Sequence, residues 1–88
     1  SNGNYGAVGN FHLGCVKQLR EMEIDSAIYF YTVAVDLDKD YLEAYHNRGM
    51  CFEEKKDVQN AMFNYLEALK VDPEFELSKK AYERIRKR

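Results

Sequence analysis

Two histidines and two cysteines are the side chains of this sequence best suited to hold a metal ion. His12 and Cys15 lie one helical turn apart, but His46 and Cys51 are five apart and do not share a helix face. A structural zinc centre needs four ligands converging at tight spacings. Cys15 and Cys51 therefore read as small packing residues, and neither a metal nor a cofactor is expected. Two cysteines so placed also point to a reducing, intracellular compartment, the cytoplasm, over a disulfide framework. Asp36, Asp38 and Asp40 begin like a calcium loop, which then needs Gly at its sixth place and Glu at its twelfth. Tyr41 and Asn47 stand there instead, so the run reads as an acidic turn. The three serines form no G-x-S-x-G motif, and no glycine-rich phosphate loop is present. An enzyme is not expected.

The elements that must position these residues come from a repeat. Phe11 and Tyr45 are 34 residues apart, as are His12 and His46, Ile24 and Val58, and Ala27 and Ala61. So are Tyr31 and Tyr65, Ala34 and Ala68, Asp38 and Asp72, and Tyr41 and Phe75. A period in this range marks a stack of supersecondary units, none of which can bury its apolar face alone. The pattern predicts five helices and no strand. They cover about 8–21, 25–37 with Asp25 as cap, 42–55, a fourth capped by Asp57 and ended by Pro73, and about 74–87. Ala27, Ile28, Tyr31, Ala34 and Val35 follow the spacing of one helix face, and Ala61, Met62, Tyr65, Ala68 and Leu69 repeat it. The fifth helix departs from the period. Lys79, Glu83 and Arg86 stand where Tyr45, Gly49 and Phe52 would recur, so it reads as a polar cap.

Eighty-eight residues, 32% charged and 45% hydrophobic, allow one domain. The net charge of −2 is uneven, because six basic residues against Glu83 lie in 79–88. That end reads as favourable charge at a helix C-terminus, and the acidic remainder argues against nucleic acid. No apolar run approaches the roughly 18 residues that cross a membrane. Ser1-Asn2-Gly3, without an initiator Met, reads as a cloning remnant on a domain cut from a longer protein. Residues 1–7 are expected to be a disordered tail, and 1–10 to be poorly ordered.

Tyr45-His46-Asn47-Arg48-Gly49, Phe52, Ala61, Tyr65, Ala68 and Asp72-Pro73 together resemble a tetratricopeptide repeat. The resemblance covers 42–75 closely and 8–41 in degenerate form, with Cys15 where the second unit has Gly49 and Gly14 one place early. It implies an all-α, right-handed superhelical stack of two antiparallel helix pairs, with 76–88 as a capping helix. It also implies a non-catalytic scaffold or adaptor whose concave groove binds a protein partner's peptide or helix. By the repeat offset the groove is lined by His12, Leu13, Val16 and Leu19, then His46, Asn47, Met50 and Glu53, then Lys80, Arg84 and Lys87. An apolar stretch and a basic rim would suit a partner with apolar side chains and an acidic end. One subclass clamps an acidic C-terminal tail through five residues, of which only Asn47 matches. The other places read His12, Val16, Leu77 and Ala81. His12 and His46 are expected at equivalent places about 10 Å apart, as polar groove residues. Tyr29, Phe30 and Phe63 fall outside the recurring core pattern. On the convex face they would make a homodimer, the alternative function.

Overall fold

A computed structural model describes residues 6–87. The element order is α1 (Gly6–Cys15), a π-helical segment (Val16–Arg20), α2 (Ile24–Leu37), α3 (Leu42–Glu54), α4 (Val58–Val71) and α5 (Glu76–Arg86). Consecutive helices pack on one another, giving a slab of 43 × 26 × 18 Å. The described residues contain no strand. α1 begins at Gly6, so the expected disorder does not extend through residues 6–10, and residues 1–5 lie outside the described residues.

The interhelix joints repeat. The backbone at Met22 and Lys56 is left-handed, with φ of 57° and 66°, and each residue turns the chain into the next helix. Asp57 then accepts a hydrogen bond from the Asn60 N–H at 3.2 Å, capping α4 as its sequence predicts. The residue in the same place before α2 is Glu23, so Asp25 falls in the first turn and does not cap. After each pair, an aspartate Oδ1 accepts a backbone N–H two residues on at 3.0 Å, Asp38 from Asp40 and Asp72 from Glu74. The acidic run is thus the turn it was read to be. α4 stops at Val71, and the extended Asp72 meets the geometry that Pro73 imposes.

The core holds the paired residues of the period. Ala27, Tyr31, Ala34, Val35, Ala44, Tyr45, Cys51 and Ala68 form one buried cluster. Ala61, Tyr65, Ala81 and Ile85 form the second, and it ties α5 to α4. Arg48 joins the units. Its Nε donates to Asn64 Oδ1 at 2.6 Å on α4, and its Nη1 to Thr32 Oγ1 at 3.1 Å on α2.

The first helix of each pair does not follow the 34-residue offset. A Cβ on Gly49 would stand 2.7 Å from the Tyr65 ring, and a Cβ on Gly14 would stand 2.5 Å from the Tyr31 ring. Tyr65 donates its hydroxyl to Glu53 Oε1 at 2.6 Å, and Tyr31 to Gln18 Oε1 at 2.6 Å. His46 lies 5.2 Å from the Tyr65 ring and 5.7 Å from Phe75, whereas Phe11 lies 5.7 Å from Tyr31 and 5.1 Å from Tyr41. Gly14, Phe11 and Gln18 therefore stand for Gly49, His46 and Glu53, 35 residues on. The extra residue sits in the π-helical segment, where Glu21 N–H bonds Val16 C=O, five residues back, at 3.0 Å. The pairings of Phe11 with Tyr45 and of His12 with His46 are corrected accordingly. So is the match of Cys15 with Gly49, because the close approach to the tyrosine ring belongs to Gly14.

Candidate functional site

α3 and α5 lie one period apart and border a shared cavity. Small residues set its depth: Ala81 on α5 packs against Tyr65, and Ser78 Oγ meets His46 Nδ1 at 2.8 Å. His46 is buried between the Tyr65 and Phe75 rings. Burial lowers its pKa from the ordinary histidine value, opposed by the weaker pull of Glu53, so the ring is neutral at pH 7. Above this floor lie two exposed apolar lips, Met50 (39% exposed) and Leu77 (60% exposed). Lys80 and Arg84 complete the lining of a cavity of about 320 Å³.

The two cations are in different states. Arg84 forms a two-pronged pair with Glu53, Nη1 to Oε2 at 2.7 Å and Nη2 to Oε1 at 3.0 Å. The hydrogen bond to Glu53 holds the guanidinium pKa above its ordinary value, so Arg84 stays charged. Burial raises the Tyr65 hydroxyl pKa, and the bond to Glu53 adds to the effect. Lys80 is exposed and forms no ion pair among the described residues. A neighbouring cavity of about 280 Å³ shares Met50 and Arg84 and is bounded by Glu53, Glu54 and Lys56. The groove thus runs from Leu77 to Lys56, with the Glu53–Arg84 pair at its middle.

Of the residues that the sequence placed in a groove, His46, Met50, Lys80 and Arg84 surround one cavity, and Glu53 borders the next. His12, Val16 and Leu19 line neither of these. Asn47 turns toward the preceding unit, where its amide donates to Tyr31 Oη at 3.3 Å and to Cys15 Sγ at 3.8 Å. His12 corresponds to Asn47 in the corrected register, so the two histidines are not equivalent and form no paired site. The clamp positions on α1 become Phe11 and Cys15, which still lack its Lys and Asn. Leu77 was not among the expected groove residues, although it lies one turn before Ala81 on the groove side of α5.

The basic end is neutralised only in part, since besides Arg84 just two of its described cations are paired. Lys79 pairs with Glu74 and Glu76, and Arg86 with Glu83. No group of three or more His, Cys, Asp or Glu among the described residues could hold a metal. Cys15 and Cys51 are free thiols; Cys51 is fully buried, and burial pushes its pKa up to about 12. No helix of the described residues is long and apolar enough to cross a membrane.

On the far side, Tyr29 (63%) and Phe63 (53%) are exposed, while Phe30 is half-buried with its ring edge against Tyr29. Phe63 belongs to an apolar stripe on α4 with Val58, Met62 and Leu66.

Residues 42–75, which span α3, α4 and the turn to α5, match the tetratricopeptide repeat family model. Residues 42–75 are a tetratricopeptide repeat. No curated protein matches the chain closely enough to count as a relative. A tetratricopeptide repeat is a protein-interaction module, and its matched span supplies the α3 wall of the groove.

Proposed function

We propose that this tetratricopeptide domain is a scaffold or adaptor that binds a peptide or helix of a protein partner along the α3–α5 groove. The observation that carries the reading is the placement of two exposed apolar side chains, Met50 and Leu77, over a formed cavity beside the cation Lys80. Exposed apolar surface around a preformed hollow, with one charge at its edge, suits an apolar side chain next to a carboxylate. The neutral His46 and its Ser78 bond give the cavity a fixed floor, so little reorganisation accompanies entry.

A random-peptide display selection tests this reading. Sequences enriched on the wild-type domain should pair an apolar side chain with a nearby Asp or Glu. Lys80→Glu should lose them, and Met50→Glu should lose them more completely. Enrichment of basic peptides, or retention by Met50→Glu, would refute it.

A second reading is a homodimer through the outer face, favoured by the stripe of Val58, Met62, Phe63 and Leu66 with the exposed Tyr29. Light scattering across a concentration series decides it. The dimer reading requires a wild-type mass near twice the monomer and a return to monomer in Phe63→Glu. A single monomer mass at all concentrations would exclude it.

A further inference from the structure

Glu53 occupies the groove in a way that packing does not require. Its partner in the first unit is Gln18, which accepts the Tyr31 hydroxyl at the same 2.6 Å that separates Glu53 from the Tyr65 hydroxyl. A neutral amide oxygen is therefore sufficient for the tyrosine bond. The charge of Glu53 is directed instead at Arg84, which it holds by both guanidinium prongs. Arg84 is half-exposed and lines both groove cavities, so an incoming ligand meets this pair. A planar guanidinium that already holds a carboxylate in a two-pronged geometry has its best anion-binding edge occupied.

We propose that Glu53 is a built-in competitor for the acidic end of the partner, leaving Lys80 as the cation that reads it and reserving Arg84 for ligands able to displace Glu53. The inference rests on the groove reading above. As built, the groove recognises one carboxylate beside an apolar side chain. A ligand with two adjacent carboxylates gains the second contact only by displacing Glu53. Glu53 acts through Arg84 and is a positioning residue for specificity.

The test uses two N-acetylated peptides, each beginning with two leucines. One ends in two aspartates with a free C-terminus; the other ends in two asparagines with an amidated C-terminus. Binding to the isotope-labelled domain is followed by amide shifts in wild type, Glu53→Gln, Arg84→Gln and the double variant, with thermal melts alongside. Glu53→Gln reproduces the arrangement at Gln18, so the Tyr65 hydroxyl keeps an acceptor. The acidic peptide should bind Glu53→Gln about tenfold more tightly than wild type, the scale of one added charge-assisted hydrogen bond. The gain should vanish in the double variant and fade at high salt, while the neutral peptide binds all four proteins alike. Equal binding of the acidic peptide to wild type and Glu53→Gln would overturn the inference and leave the groove reading intact. So would a loss of both peptides in Glu53→Gln with a lowered melting temperature, which marks a latch for α5 alone. Failure of either peptide to move the amides of Met50, Lys80 and Ala81 in any variant would overturn both.

Discussion

Adding one methyl group at Gly49 should unfold this domain at a markedly lower temperature. An Ala Cβ there would lie 2.7, 2.9 and 3.2 Å from three carbons of the Tyr65 ring. Relaxed carbon contacts are about 3.5–4.0 Å, so the ring or the helix must give by nearly 1 Å. Tyr65 has nowhere to go, because it is fully buried and its hydroxyl is held by Glu53. Overpacking of this kind costs about 1–3 kcal/mol, and the upper part of that range applies where the neighbour is pinned. Ala improves helix propensity over Gly by up to about 1 kcal/mol. The net loss is about 2 kcal/mol, or roughly 8–16 °C in melting temperature for a domain of this size. Gly14→Ala should behave alike, since its Cβ would come within 2.5 Å of the buried Tyr31 ring. Cys15→Ala, at the neighbouring position, should shift the melt far less. Thermal and urea melts followed by helical circular dichroism measure all three. Gly49→Ala or Gly14→Ala melting at or above the wild-type temperature would refute the close-approach argument. A Cys15→Ala loss as large as that of Gly14→Ala would refute the 35-residue register.

Two further predictions concern titration and thiol chemistry. Burial lowers the His46 pKa in the fold, so below about pH 6.5 the unfolded chain takes up a proton that the folded ring resists. His46 therefore contributes full stability above that pH, and the contribution declines as pH falls through the window down to the folded pKa. Urea midpoints should drop between pH 7.5 and 5.5, and less so in His46→Phe/Ser78→Ala, which copies Phe11 at the equivalent site; parallel pH profiles would contradict this. Cys51 is fully buried with its thiol raised to about 12, whereas Cys15 is partly exposed. A thiol-reactive disulfide reagent at pH 8 should modify Cys15 in the native protein and Cys51 only at the rate of unfolding. Equal rates for the two would show that α3 opens more readily than its packing implies.

The helix pairs were legible because their small and aromatic residues recur with fixed spacing. Ala27 and Ala61, Tyr31 and Tyr65, and the aspartates of the turns all fall at the period the fold uses. The departure of α5 from the period was legible in the polar residues at the places of Tyr45, Gly49 and Phe52. The register of α1 was not, because a one-residue insertion leaves two aromatic residues, Phe11 and Tyr45, at the original offset while the glycines shift to 35. Gly14 was the available signal: a glycine inside a helix facing a tyrosine outweighs a matched aromatic on its flank. The Asp25 cap was misplaced for a related reason, since the joint is set by the left-handed Met22, and Glu23 follows it as Asp57 follows Lys56. His46, Met50, Lys80 and Arg84 could be brought to one cavity because α3 and α5 keep the 34-residue step, as Ala44 and Ser78, or Cys51 and Ile85, show by their burial. Arg84's pairing with Glu53 escaped the sequence because the two meet across helices 31 residues apart.

The most direct measurement is an amide-shift map of the labelled domain titrated with a display-selected peptide. The shifts should concentrate on His46, Met50, Leu77, Lys80, Ala81 and Arg84, with little change at Phe63 or Leu66. Shifts centred on Tyr29, Phe63 and Leu66, with the α3–α5 groove unmoved, would contradict it.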